Sequence, residues 1–399
     1  MMSERKDGIW VSELNARPEI RSRFRNAGPV RFYDTTLRDG EQTVGVVLDP
    51  QQKLEIARRL DALGVSRIEA GFPRVSADDT EAIRLILAAG LKAEVWGFAR
   101  AVPADVDALV ELGLRFTIIE TPTSEIKLRA YGLAREEARR RAAEAVRYAA
   151  GRGITVAFFA VDATRSELEF LRSVYLATLE AGAKELVVVD TIGACGPEAV
   201  EFLVGQVREW AGEKVPLHFH GHNDFGLGTA SAIAAVRAGA SWIQGTINGM
   251  GERAGNADIG EIALALRCLY DVEVELDLAR VREVSRLVQQ QAGYKVDAWK
   301  PLVGDNLFMR ESGAVASQFH IPEAIEPFAA GLVGAERRIV LGKKSGLDSI
   351  DLKCRELGVA LPLEARAAVL AAVKQKGIEK RGLLTDEEFL EIVRARAQA

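Results

Sequence analysis

Glu185-Leu-Val-Val-Val-Asp-Thr191 is a short β-type run. An amphipathic stretch over 196–211 follows it. Beyond that lies a second run, Leu217-His-Phe-His-Gly-His222, opened by the apolar lead-in Val215-Pro-Leu217. Strand, helix and strand in that order read as one βαβ unit, because parallel neighbours need a crossover that a helix supplies. The rhythm continues on both sides. Further runs fall at 31–36, 67–71, 93–98, 115–120, 155–161 and 242–248, with helical stretches at 50–63, 135–151, 167–181 and 227–238. Leu63-Gly64, Ala89-Gly90, Leu112-Gly113 and Ala181-Gly182 read as helix ends, where glycine accepts left-handed backbone. Eight β-then-α units between about residues 30 and 275 match the ~250 residues of a (β/α)8 TIM barrel, an α/β fold. A doubly wound open sheet is second choice, since no Gly-x-Gly-x-x-Gly follows the first run.

The flanks read differently. Residues 1–27 form a polar, irregular N-terminal extension, and 28–275 hold the barrel. Residues 276–399 carry linker helices and a small helical C-terminal domain, with helical stretches at 278–292, 363–376 and 385–396 and an irregular, glycine-containing 303–316. Hydrophobic content of 48% and charged content of 27% suit a globular protein, and a net charge of −5 argues against nucleic acid or anionic membrane as partner. The first residues lack an apolar signal region, and no apolar run reaches ~18 residues. Cys195, Cys268 and Cys354 are scattered and form no CxxC pair, so a reduced, cytoplasmic setting is expected.

In such barrels the C-terminal strand ends and the loops after them build the active site. The first run ends in Asp34-Thr-Thr-Leu-Arg38-Asp39-Gly40-Glu41-Gln42, the fifth in Asp162-Ala-Thr-Arg165, and the sixth in Asp190-Thr191. The eighth ends in Asn248 and leads into Gly249-Met-Gly-Glu252-Arg253-Ala-Gly255-Asn256. Three of the chain's 4 histidines crowd the seventh. Side chains alternate faces along a strand, so His220 and His222 project the same way, and two neutral imidazoles one repeat apart can chelate a divalent metal. His218 shares their parity but lies deeper, which suits a hydrogen-bonded core role. A carboxylate, His-x-His and an amide oxygen make a mixed site open to Zn2+, Mn2+, Co2+ or Mg2+ as Lewis acid. Asp34 reads as a structural carboxylate, Asp162 with Arg165 as a structural ion pair, Glu252-Arg253 as a loop brace and Cys195 as a structural thiol. Trp96, Phe98, Phe158 and Phe159 would line or narrow the pocket, while Arg74 and Arg100 could neutralise a second anionic group on a substrate.

Asp34-Thr-Thr-Leu-Arg-Asp-Gly-Glu-Gln42, His220-Gly-His-Asn-Asp224 and Asn248-Gly-Met-Gly-Glu-Arg-Ala-Gly-Asn256 together resemble the isopropylmalate, homocitrate and citramalate synthases, whose superfamily includes hydroxymethylglutaryl-CoA lyase. The resemblance implies an acyltransferase of carboxylic-acid and amino-acid metabolism. Such an enzyme condenses an acyl-CoA, acetyl-CoA above all, with a 2-oxo acid by Claisen-type addition and then hydrolyses the thioester. It also implies roles. Asp39, His220, His222 and Asn256 would ligate the metal, Arg38 would stabilise the alkoxide formed from the keto oxygen, and Thr191 would bind the 2-oxo acid carboxylate, with Gln42 and Arg100 among the substrate-binding residues. A homodimer, with the tail of one chain over the barrel mouth of the other, is implied as well. Two positions depart from the family pattern. The strand-5 glutamate is Val161, and the histidine after the barrel is Val315 in Glu311-Ser-Gly313-Ala314-Val315, leaving His320 or a residue from a partner chain to serve as the base. A metal-dependent carbon–carbon lyase is the first alternative, set back by the missing cysteine loop after the eighth run. A non-catalytic paralogue that binds a 2-oxo acid is the second.

Overall fold

The computed structural model describes residues 8–24 and 28–397. Two compact units divide the chain: Ser12–Val296, and a second containing the stretch up to Val11 with Asp297 onward.

The larger unit is a closed barrel of eight parallel strands, as the sequence leads one to expect. They are β1 (Arg31–Asp34), β2 (Arg67–Glu69), β3 (Glu94–Arg100), β4 (Phe116–Pro122), β5 (Thr155–Val161), β6 (Glu185–Asp190), β7 (Leu217–Gly221) and β8 (Trp242–Gly245). Each pairs with the next, and β8 returns to β1. The main helices between and after them are α1 (Pro50–Leu63), α2 (Ala77–Ala88), α3 (Pro103–Glu111), α4 (Arg135–Gly151), α5 (Leu168–Glu180), α6 (Pro197–Ala211), α7 (Gly228–Arg237) and α8 (Ile259–Leu269), with a short extra helix, Glu125–Tyr131, ahead of α4. Local chemistry sets their ends. At α1, Asp49 and Gln52 form a reciprocal capping box ahead of Pro50, and Gly64 closes the helix at φ 92°. A further helix, α9 (Val281–Ala292), belongs to the same unit.

The barrel interior is apolar on one side and ionic at its base. Tyr33, Phe98, Ile118, Phe159, Val161, Val187 and Val189 form its packed lining. Beneath them Arg67 makes two bonds to Glu185 (2.6 and 3.0 Å) and one to Glu94 (2.7 Å), and its guanidinium lies 3.6 Å from the Trp242 ring centroid and 4.6 Å from that of Trp96. His218 Nε2 lies 2.6 Å from Glu185, and Gln244 faces His218 Nδ1 at 3.2 Å. Burial alone would raise the Glu185 carboxyl, but His218 and Arg67 outweigh it and hold it down at about 2. Burial lowers His218, so a neutral imidazole donates to Glu185 through Nε2 and accepts from Gln244. Its role is structural, in keeping with its depth in the strand.

In the smaller unit, β9 (Met309–Arg310) pairs in parallel with β10 (Arg338–Ile339), giving the 303–316 stretch a strand that its glycines conceal. Helices α10 (Leu347–Glu356), α11 (Arg366–Lys380) and α12 (Asp386–Ala397) pack around Ile339, Leu341, Ile350, Val369, Val373 and Phe389. Among the described residues no helix is long and apolar enough to cross a membrane.

Candidate active site

The barrel mouth is built from loops that leave β1, β6, β7 and β8. After β1 the chain turns sharply. Asp34 accepts from the Thr36 N–H and hydroxyl, both at 2.9 Å, and the Thr36 oxygen accepts from the Ile247 N–H, tying the turn to the β8 loop. Asp34 is therefore structural, as read. Glu41 bonds the Leu48 N–H at 2.8 Å and the buried Lys53 at 2.5 Å, so it braces the loop, while Gln42 is exposed.

That turn delivers Asp39 to the histidines. Its Oδ2 lies 3.3 Å from His220 Nε2 and 3.6 Å from His222 Nε2, and one ligand atom from each residue falls within a 4.8 Å cluster, all buried. Asp39 Oδ2 and Asn256 Oδ1 are buried with no hydrogen-bond partner among the described residues. Asn256 is oriented by its own amide, which donates to the Met250 carbonyl at 2.9 Å. Burial would raise the Asp39 carboxyl, yet Arg38 and the two imidazoles hold it well below the usual carboxylate range. Burial, then His220, pulls His222 down to about 4, leaving a neutral ring. An ionised carboxylate, two imidazole nitrogens and an orphaned amide oxygen are a donor set that fits a divalent cation.

Arg38 stands beside this cluster. Glu69 accepts from its Nε at 2.6 Å and from the Tyr33 hydroxyl at 3.1 Å. Nη1 lies 3.4 Å from Asp39, and the guanidinium carbon lies 4.2 Å from the Phe98 ring centroid. Nη2 is buried with no partner, a fixed cationic donor for an incoming oxygen. Across the mouth the Thr191 oxygen accepts from the Asp162 N–H at 2.8 Å, so its own proton is free to donate. Asp162, at φ 64°, makes two bonds to Arg165 (2.8 and 2.7 Å) and a short one to Ser124. Arg253 joins two rim loops through Asp224 (2.9 Å) and the Thr191 carbonyl (2.9 Å). The loop after β8 depends on Gly255, at φ 82°, because a Cβ there would collide with the Gly249 carbonyl.

Other expected residues lie elsewhere. Arg100 makes two bonds to Asp105 (2.8 and 3.0 Å), and Arg74 reaches the same carboxylate at 3.2 Å. Phe98 and Phe159 face the site, the Phe159 ring lying 5.1 Å from that of His220. Phe158 instead points outward against Tyr175, and Trp96 lies at the base, stacked on Phe116, because adjacent positions alternate faces and the strand runs from base to rim. Burial, then Asp190, pushes the Cys195 thiol up to about 11, so it is a thiol rather than a nucleophilic thiolate. His320 is an exposed residue of the smaller unit. Glu69, which anchors Arg38, is a site position that the sequence does not single out. It is a polar residue at a C-terminal strand end, the same signal that marks Thr191.

Residues 29–288 match the family described as HMGL-like. A putative (R)-citramalate synthase of Methanopyrus kandleri is 46% identical over 353 residues, covering 87% of this chain and 69% of that protein. A homocitrate synthase of the same organism is 43% identical over 367 residues, covering 92% of each. The crystal structure of the Bacillus subtilis HMG-CoA lyase superposes with a TM-score of 0.61 at 18% identity, covering 67% of this chain and 95% of that one, a likeness of fold.

Proposed function

Since the chain belongs to the HMGL-like family, we propose that it condenses an acyl-CoA, acetyl-CoA in the first instance, with a 2-oxo acid and then hydrolyses the thioester. The observation that carries this is the buried grouping of Asp39, His220 and His222 with Arg38 Nη1 3.4 Å from Asp39, where Asp39 Oδ2, Asn256 Oδ1 and Arg38 Nη2 have no hydrogen-bond partner among the described residues. Asp39, His220, His222 and Asn256 would hold a divalent cation, Zn2+, Mn2+, Co2+ or Mg2+, whose Lewis acidity toward a keto group is the chemistry it supplies when bound. Arg38 Nη2 would take the developing alkoxide, with Glu69 fixing its direction, and the Thr191 hydroxyl would take the substrate carboxylate. These donors are positioned before the reaction and face charge that grows during it, the condition under which hydrogen bonds lower a barrier most. The acyl-CoA side needs a proton acceptor, and with Val315 and Val161 in the family positions His320 or a residue from a partner chain would serve. A homodimer in the cytoplasm is part of the same reading, and sedimentation would measure the assembly.

The names of the similar proteins favour synthase over lyase. Mixing the protein with acetyl-CoA, Mn2+ or Zn2+ and a panel of 2-oxo acids should release free CoA, read with a thiol reagent. Absence of thiol across the panel would refute the proposal.

A further inference from the structure

Glu120 lies near the C-terminal end of β4, in register with Arg100 on one side and Phe159 on the other. Register partners in a parallel sheet face the same way, and Phe159 belongs to the barrel lining, as does Ile118 two residues before Glu120. The Glu120 side chain therefore faces the interior at the level of the mouth. In the closed strand order β4 stands diametrically opposite β8 and three strands from both β1 and β7. Those three strands lead to the candidate ligands Asn256, Asp39 and the histidines. A 2-oxo acid held there through its carboxylate and keto oxygens would point its side chain across the barrel, toward Glu120, past Phe98 and Phe159.

The Glu120 carboxylate is half-buried and, among the described residues, makes no hydrogen bond or ion pair. Arg38, Arg100 and Lys127 act on it only at longer range. The two arginines are committed elsewhere, Arg38 to Glu69 and Asp39, Arg100 to Asp105. Burial pushes its carboxyl up, which reflects the missing partner. An unpaired carboxylate in a pocket wall costs little while water reaches it and much once an alkyl group displaces that water. A second carboxylate brought against it would meet like charge.

Resting on the condensation reading, we infer that Glu120 sets the substrate class: a 2-oxo acid whose side chain ends in a hydrogen-bond donor, such as a hydroxyl, in preference to a bare alkyl chain or a second carboxylate. Sites built to pair a polar group reject analogues lacking it more strongly than apolar pockets reject a methylene.

The test compares kcat/KM for 4-hydroxy-2-oxobutyrate, its near-isostere 2-oxopentanoate, and 2-oxoglutarate, with acetyl-CoA and Mn2+, by CoA release. The parent should favour the hydroxylated acid by at least about tenfold over both others. Glu120→Leu should reverse the preference toward 2-oxopentanoate. Glu120→Gln, which keeps the shape and carries the test if the leucine variant does not fold, should admit 2-oxoglutarate about tenfold better than the parent does. A parent that uses 2-oxopentanoate or 2-oxoglutarate as well as the hydroxylated acid, or variants that keep the parent's ratios, would overturn the inference and leave condensation standing. A uniform loss of kcat with ratios preserved would overturn it as well, making Glu120 the proton acceptor. No CoA release by the parent with any member would remove both readings.

Discussion

Replacing Asp39 with asparagine tests the cation site without disturbing its shape. Asp39 is the single anionic member of the four donors that converge there, and asparagine fills the same volume. Binding to the native state alone stabilises by RT ln(1 + [L]/Kd), about 2.7 kcal/mol at a free cation concentration of about 100 Kd. Loss of the anionic donor from a buried, preformed cluster should raise Kd by at least about 100-fold, beyond the ~10–100-fold typical of outer-shell changes, which leaves about 0.4 kcal/mol at the same concentration. For a domain of this size those values correspond to a rise in Tm on the order of 5–10 °C for the parent and about 1 °C for the variant. The measurement is differential scanning calorimetry after chelation, with Mn2+ added back and the bound cation quantified by mass spectrometry. Equal shifts in the two proteins would show that the cation binds elsewhere, and no shift in the parent would remove the site altogether.

Arg38→Lys forfeits both the Glu69 bond and the unpaired Nη2, so kcat for CoA release should fall by about 10²–10³ while the parent's CD spectrum is retained; unchanged turnover would contradict its role. Gly255→Ala forces a side chain into left-handed backbone against the Gly249 carbonyl. It should cost about 1–3 kcal/mol in urea unfolding and weaken cation binding by displacing Asn256; a neutral result would mean the loop can re-form. Cys195, with its thiol raised to about 11, is mostly protonated below that pH and gains thiolate as pH rises. Its alkylation by iodoacetamide, followed by peptide mass mapping, should be slow at pH 7 and accelerate about tenfold per unit up to that value; a rate already saturated at pH 8 would show that the surroundings instead stabilise the anion.

The barrel was legible because each strand carries its own signal, a short β-rich run closed by a polar residue, and each helix its own face and glycine stop. The 50–63 and 135–151 helices are found at those bounds. Strands β1, β2 and β8 end earlier than read, since apolar and β-branched residues continue into turns where bonds such as Thr35 N–H to the Gly245 carbonyl replace the ladder. The grouping of Asp39 with His220 and His222 was legible from strand parity plus a family motif. The anchoring of Arg38 by Glu69 was not, because it joins positions on different strands that only the register brings together. Arg74 and Arg100 show the converse. Two arginines after neighbouring strands look available in sequence, and a buried Asp105 from the following helix claims both.

Strand β7 carries imidazoles with unrelated duties separated by one residue. His218 is locked into the ionic plug with Glu185 and Arg67, while His220 and His222 look onto the rim. Rings of hydrocarbon from Tyr33, Phe98 and Phe159 lie between these levels. The lower level can thus hold the cylinder shut whatever chemistry the upper one acquires. Mutations at the lower histidine should surface as heat-sensitive protein, and those at the upper pair as sound but idle protein, so one short segment separates durability from reactivity.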